Sequence, residues 1–420
     1  MFSFCPHVCG PETVSRGLCV DDPADCHRRV PGLRQVPPTP VDTKGKQYAY
    51  VEEFLGRHCY FDEASLKIDY DRHYEDGEAV PPTFSCLTYN IWGLANSEKH
   101  RHLFTLRQPL LESTIRETGA DLLCLQEMSE FAYERLTPLL SEYRFASEVP
   151  YPAPGSRPVE GRNRSVDTYF LSKYKPSRVT MYGLPGVLGY ENCLLVIEYV
   201  NLVVFNLYNQ AGSKHSPGQQ HKWIHYSRCR FDILETIYDM IRRHYMDRSV
   251  LICGDFNFHL DGSRDDWPEV EMLERLKTLG FQDTFRVANP TDPGFTEDTD
   301  FSHMRWNQKL LDKHLRYDGV LYRAAAAHSP WTIRSSKLIG ADYVCLNKDD
   351  SAWFIENMSD VKPDEIHRLA QCASPRSREK RIPINASDHL GVLTVFGSVS
   401  SSSRRKTRSR SHRLRSTHKR

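Results

Sequence analysis

Ser249-Val250-Leu251-Ile252-Cys253-Gly254-Asp255-Phe256-Asn257 is the stretch whose reading decides the fold. Its first five residues form a short apolar run of the buried-strand kind. Phe258-His259-Leu260-Asp261-Gly262 then reads as loop. A carboxylate, Asp255, and a carboxamide, Asn257, therefore stand two residues apart where a strand ends. Open α/β sheets place ligand-contacting groups there. Asp and Asn after a strand are also ordinary turn formers, so the stretch gains meaning only from other strand ends of the same kind.

Working outward, such ends recur. Thr83 to Asn90 alternates like a strand and runs into the turn Asn90-Ile91-Trp92-Gly93-Leu94. A helix follows, with Pro109 expected in its first turn, Leu110, Leu111 and Ile115 on one face, and Gly119 as its C-terminal stop. Asp121 to Leu125 is an apolar strand leading to Gln126-Glu127. Two strands around Asn201 read as a hairpin, the second ending at Tyr208. A helix over about 228–245 presents Phe231, Leu234, Ile237, Tyr238 and Ile241 on one side and leads into the Ser249 strand. Downstream, Pro268 to Leu279 is a short helix stopped by Gly280. Arg316 to Tyr322 is a strand carrying Asp318. Ser387-Asp388-His389-Leu390-Gly391 precedes a last strand, Val392 to Phe396. Strands alternating with helices give an α/β class. The architecture expected is a four-layer α/β sandwich: two packed mixed sheets, helices outside, and the site at the strand ends on one rim.

The 420 residues, 40% hydrophobic and 11% aromatic, suffice for one large domain with extensions. We divide the chain into a Cys/Pro-rich extension (1–80), a main domain (81–398) with a polar insertion (346–383), and a basic tail (399–420). No apolar run reaches about 18 residues, so no transmembrane helix is expected. The N-terminus lacks the basic and apolar regions of a secretory signal. The 12 Cys are spread out, and Cys86, Cys124 and Cys253 fall in core strands. That pattern fits reduced thiols in an intracellular protein. Cys5, Cys9, Cys19 and Cys26, with His7 or His27, compete between a zinc site and a flexible arm. Arg157, Arg162 and Arg164 sit in a basic loop. The net charge is +1, yet residues 401–420 alone carry nine Arg or Lys, leaving a mildly acidic body. Such a tail is expected to be disordered and to bind nucleic acid by its charge or to direct the chain to a nucleus. Oligomeric state is not legible.

Asn90, Glu127, Tyr208, Asp255, Asn257, Asp318, Asp388 and His389 would converge if the strand ends lie together. Hard oxygen ligands such as Glu127 suit Mg²⁺, or Mn²⁺ in its place. A phosphate ester needs charge neutralisation, a positioned water and help for its leaving oxygen. A divalent ion, an amide donor, an Asp base and an Asp-supported His supply these. His389 is favoured because Asp318, from another strand, would fix its tautomer.

Thr88-Tyr89-Asn90-Ile91-Trp92, Leu125-Gln126-Glu127, Leu171-Ser172-Lys173-Tyr174, Gly254-Asp255-Phe256-Asn257, Arg316-Tyr317-Asp318 and Ser387-Asp388-His389-Leu390-Gly391 occur in this order. Together they resemble the endonuclease/exonuclease/phosphatase superfamily with its deoxyribonuclease I-like fold, over about residues 83–397. The late segments, including Ser335 to Gly340, look most like the tyrosyl-DNA phosphodiesterase 2 branch. The resemblance implies that Glu127 binds Mg²⁺, with Asn90 on the phosphate or a metal-bound water and Asp388 near the metal. It implies that Asp255 and Asn257 orient the attacking water and hold phosphoryl oxygens, and that Asp318 supports His389. Two positions depart from the pattern. Trp92 stands where repair members carry Asp, and is expected to stack on a base. Tyr208 stands where many members have His, and is expected to donate to phosphate but not to carry a proton at neutral pH. Three functions follow: a Mg²⁺-dependent phosphodiesterase on nucleic acid, such as a nuclease or 5′-tyrosyl-DNA phosphodiesterase; a sphingomyelinase-like or small-molecule phosphodiesterase; and a non-catalytic nucleic-acid-binding protein on the same fold.

Overall fold

A computed structural model describes residues 66–398 apart from 96, 148–166, 185–191, 213–222, 265, 299–301, 303–312, 326–330 and 359–380. The Cys5–Cys26 cluster, the basic loop with Arg157, Arg162 and Arg164, and the basic tail lie outside the described residues. So does most of the 346–383 insertion. Among the described residues no helix is long and apolar enough to cross a membrane.

In chain order the elements are β1 (Lys67–His73), β2 (Phe84–Asn90), α1 (Glu98–Thr118), β3 (Leu122–Met128), α2 (Glu130–Leu140), β4 (Phe145–Ala146), β5 (Asp167–Ser172) and β6 (Arg178–Leu184). Then come β7 (Asn192–Glu198), β8 (Leu202–Tyr208), α3 (Trp223–His244), β9 (Ser249–Asp255), α4 (Val270–Thr278), β10 (Gln282–Asp283), α5 (Thr284–Ala288) and β11 (Glu297–Asp298). The rest are β12 (His314–Leu315), β13 (Asp318–Arg323), β14 (Trp331–Ile339), β15 (Tyr343–Cys345), α6 (Lys348–Met358), β16 (Pro383–Asn385) and β17 (Gly391–Ser398).

A seven-stranded sheet runs β1-β6-β7-β8-β9-β13-β10, and a six-stranded sheet runs β14-β17-β2-β3-β5-β4. Each holds one parallel pair among antiparallel neighbours, β8 with β9 and β2 with β3. Both sheets are thus mixed. Alternation along the strands sets the layers. In β9, Leu251 and Cys253 face the core between the sheets, beside Cys86 and Cys124. Val250 and Ile252 face the opposite way, against Phe231, Leu234 and Ile237 of α3. In the other sheet Leu87 and Tyr89 pack on Leu111 and Ile115 of α1. The order helix, sheet, sheet, helix is the expected four-layer sandwich.

Two details of the sequence reading change. Pro109 lies inside α1, not in its first turn. The helix starts earlier, where the Ser97 side chain accepts from His100 N, a capping arrangement. Packing of Leu103, Phe104, Leu111 and Ile115 carries the helix past the missing proline N–H. The helical stop at Gly119, in the left-handed region at φ 57, is as expected. Second, Cys345 is disulfide-bonded, whereas Cys86, Cys124, Cys193, Cys229 and Cys253 are free and buried. Cys345 stands on an exposed strand, so the core does not shield its sulfur.

The start of the insertion also folds. Strand β15 pairs with β16, and α6 brings Phe354 to a small apolar cluster with Leu103, Leu346, Ile382, Ile384 and Trp92.

Candidate active site

The functional side chains meet where strands of both sheets end, and their hydrogen bonds cross from sheet to sheet. Asn90, closing β2, donates through Nδ2 to Glu127 Oε1 at 3.1 Å and to Asp255 Oδ2 at 3.0 Å. Tyr208, closing β8, donates to Glu127 Oε1 at 2.9 Å. His389 Nδ1 meets Asp318 Oδ2 at 2.7 Å. The backbone N–H of Asn257 donates to Asp255 Oδ1 at 2.8 Å. Beneath them Gln126 Nε2 donates to Asn206 Oδ1 at 2.8 Å, a fully buried link between the sheets.

The backbone is bent to make this possible. Trp92 (φ 45), Glu127 (φ 57) and Asn257 (φ 55) all occupy the left-handed region, which non-glycine residues visit rarely. Strained backbone of this kind concentrates at functional sites. Gly93 allows a close approach: its N–H donates to Glu127 O at 2.9 Å, and a Cβ there would lie 2.2 Å from that oxygen.

Burial sets the electrostatics. Asp255 is pushed well above the usual carboxylate range, first by burial and then by the charge of Asp318. Glu127 is raised by burial and then by Asp388. Burial alone would lower His389, but the charge and hydrogen bond of Asp318 outweigh it and hold the imidazole well above its ordinary value. Tyr208 is raised well above its usual value, chiefly by burial, and so is a neutral donor.

The sequence-derived set is therefore brought together, but three expected roles change. Trp92 is 8% exposed and sits in the apolar cluster beneath α6. The Arg107 guanidinium lies 5.2 Å from its ring centre. It has no free face for a base. Both amide hydrogens of Asn90 are committed to carboxylates, and its Oδ1 accepts from Trp92 N at 3.0 Å. Asn90 thus ties two carboxylates together instead of donating to phosphate. The Tyr208 hydroxyl proton is likewise spent on Glu127. Asn257 donates through Nδ2 to Asn209 O at 2.9 Å and keeps its side-chain oxygen available.

A divalent cation fits part of this set. Glu127 Oε2 is buried without a partner, and the charge of Asp388 presses on the same carboxyl group. A carboxylate with an unused oxygen and a second carboxylate near enough to raise it are hard donors of the kind a divalent cation takes. Ligand atoms of Asp255, Asp318 and His389 also lie within 4.8 Å of one another. There the short His389–Asp318 contact already uses one imidazole nitrogen.

Sequence reasoning missed several supporting residues. Arg107 is buried in α1 and reaches backbone carbonyls of the site. Thr296 Oγ1 accepts from Tyr317 N at 2.9 Å and Asp318 N at 3.0 Å, and its carbonyl accepts from Leu390 N at 2.8 Å. Arg316 pairs with Asp261 at 2.7 Å and Asp283 at 2.7 Å.

Comparison with known proteins bears on the same region. The pattern of the Endonuclease/Exonuclease/phosphatase family matches residues 87–389. No curated protein matches the chain. Among solved structures, D. rerio TDP2 complexed with single strand DNA product is 16% identical, covering 76% of this chain and 100% of that chain at a TM-score of 0.46. The beta toxin of Staphylococcus aureus is 15% identical, covering 74% of this chain and 99% of that chain at a TM-score of 0.47. A 3′-5′ exonuclease from Neisseria meningitidis is 16% identical, covering 74% of this chain and 99% of that chain at a TM-score of 0.43.

Proposed function

The chain belongs to the endonuclease/exonuclease/phosphatase family, and on that premise we propose that it is a Mg²⁺-dependent phosphodiesterase acting on nucleic acid. One observation carries the reading: the buried His389–Asp318 pair and the unpartnered oxygen of Glu127 stand on the same rim as Asp255. The residues divide the work. Asp255 is held by hydrogen bonds from Asn90 and Asn257, and its raised basicity suits it to take a proton from an attacking water. His389, kept protonated by Asp318, stabilises charge growing on the phosphoryl oxygens. Glu127, whose carboxyl group feels the charge of Asp388, would hold the cation, and Tyr208 and Asn90 fix that carboxylate in place. When bound, the cation neutralises phosphoryl oxygens and supports the leaving oxygen.

Nucleic acid is favoured as substrate by the nine Lys or Arg residues in the last twenty. A lipid ester is the second reading, and one feature favours it: Tyr343 and Val344 on β15 are exposed, at 42% and 37%. The test is hydrolysis by the purified full chain, with Mg²⁺ or with EDTA. Three substrates separate the readings: single-stranded DNA bearing a 5′-phosphotyrosine, plain duplex DNA, and sphingomyelin. Metal-dependent cleavage of either DNA supports the proposal, and the DNA that is cleaved identifies the branch. Cleavage of sphingomyelin alone moves the protein to the lipid reading. Turnover in EDTA equal to that in Mg²⁺ overturns the metal assignment.

A further inference from the structure

Arg107 stands within α1 and is 1% exposed. A cation buried this deeply requires partners. Here its direct hydrogen bonds go to backbone carbonyls. Nη1 donates to Ile91 O at 2.8 Å and to Ala386 O at 2.6 Å, and Nη2 donates to Trp92 O. The flat faces of the guanidinium are covered by Trp92 and Phe104, whose ring centres lie 5.2 and 4.9 Å away.

These carbonyls belong to two segments far apart in the sequence. One is the turn after β2, which fixes Asn90. The other is the loop before β17, which carries Asp388 and His389. Ser387 joins the same two segments, since its Oγ donates to Asn90 O at 2.7 Å and accepts from His389 N at 3.4 Å. We propose that Arg107 is the positioning residue of this site, one guanidinium holding the Asn90–Trp92 turn and the Ala386–His389 loop in fixed relation. With both segments fixed, Asn90 reaches Glu127 and Asp255 on one side while His389 reaches Asp318 on the other.

The chemistry asks for arginine. Nη1 alone bridges the two segments, to Ile91 O and Ala386 O, while Nη2 takes a third carbonyl, Trp92 O, and the planar fork lies between two aromatic rings. A lysine ammonium could bridge two carbonyls but cannot reproduce the third contact and the stacked plane together. Burial pushes Arg107 down to about 10, so it remains charged at neutral pH, and Asp388, Tyr89 and Glu127 favour the charged form. Arg107 therefore also places a fixed positive charge behind the acidic cluster. It does not touch substrate and is not a catalytic residue.

The inference rests on the phosphodiesterase reading, so its test has one arm that needs no turnover. The full chain carrying Arg107→Met, Arg107→Lys or Ser387→Ala is compared with wild type on the DNA that wild type cleaves. Backbone hydrogen exchange is read segment by segment. Arg107→Met should lower kcat about 10–100-fold, the range for losing a group that orients an active side chain, with KM little changed. Arg107→Lys should restore part of that loss. Exchange at 91–93 and at 387–390 should rise together while β8 and β9 keep their protection. A lower melting temperature with kcat per folded molecule unchanged would make Arg107 merely structural and overturn the inference. So would exchange rising in one segment alone. If wild type cleaves no phosphoester, the proposed function fails, and the joint rise in exchange still decides the coupling. If Arg107→Met does not fold, Arg107→Lys and Ser387→Ala must each loosen both segments, and an unchanged pair would contradict the inference.

Discussion

The two halves of the site are fastened by different chemistry. The six-stranded sheet supplies Asn90, Glu127 and the loop with Asp388 and His389, and Arg107 holds that half through neutral carbonyls. The seven-stranded sheet supplies Tyr208, Asp255 and Asp318. Its rim is held by Arg316, which donates to the carboxylates of Asp261 and Asp283. Carbonyls do not titrate and carboxylates do. One half should therefore keep its geometry across a range of pH in which the other loses it. Both halves are needed, because each pair that defines the site joins one sheet to the other: Asn90 with Asp255, Tyr208 with Glu127, His389 with Asp318.

The largest effect should come from Glu127→Ala. It removes the unpartnered oxygen on the six-stranded side and should abolish Mg²⁺-dependent turnover while circular dichroism shows an intact fold. Full activity in that variant would break the assignment of the cation to this half. Tyr208→Phe asks how much the seven-stranded half contributes to the same carboxylate. Losing one hydrogen bond to a charged group, worth about 1.5–3 kcal/mol, should lower kcat/KM roughly tenfold or more, with a larger loss at low Mg²⁺. Equal losses at all Mg²⁺ concentrations would mean that Tyr208 does not act through Glu127.

Acid should separate the halves. Burial would raise Asp261, but hydrogen bonds from Arg286 and Arg316 outweigh it and hold the carboxyl well below its usual value. A depressed native value means that the unfolded chain binds the proton more readily. The contribution is complete above about pH 4, the ordinary Asp value, and is lost as pH falls through the depressed native one. Glu127 and Asp255 are shifted the other way, so acid does not penalise their protonation in the folded state. Exchange protection at 259–262 and 283–286 should fall before that at 91–93, and the reverse order would contradict the comparison. The smallest effect on chemistry should come from deleting 401–420, which belongs to neither half. Weaker nucleic-acid binding with a flatter salt dependence and unchanged kcat is expected, and an unaltered salt slope would remove the tail from binding.

Much of the fold was legible because both sheets obey simple alternation, and β2, β3, β8 and β9 carry polar residues at their ends after apolar runs. Asp255 and Glu127 were visible for that reason, and Asp318 and His389 because they stand at or just before the start of apolar strands. The His389–Asp318 pairing was anticipated too, but the ties of Asn90 to Asp255 and of Tyr208 to Glu127 were not, since which sheet a strand joins is a long-range fact. Arg107 was hidden because the helix was expected to begin near Pro109, and because nothing in the sequence separates Arg107 from Arg101 and Arg116 of the same helix. Trp92 misled for a different reason. An aromatic beside Asn90 reads as a stacking platform, yet α6 and β16, far downstream, cover it. The left-handed backbone at Trp92, Glu127 and Asn257 left no mark on composition, because none of the three is glycine.

The central claim is that residues from the two sheets act as one unit, and a double-mutant cycle on His389 and Asp318 tests it most directly. The rate of phosphodiester hydrolysis would be measured for wild type, His389→Ala, Asp318→Asn and the double variant. His389→Ala should cost about 10²–10⁴-fold, as for a lost proton-bearing group. If the pair is one unit, the double variant is no slower than His389→Ala alone. Losses that multiply would show that the two residues act independently, and would contradict the account.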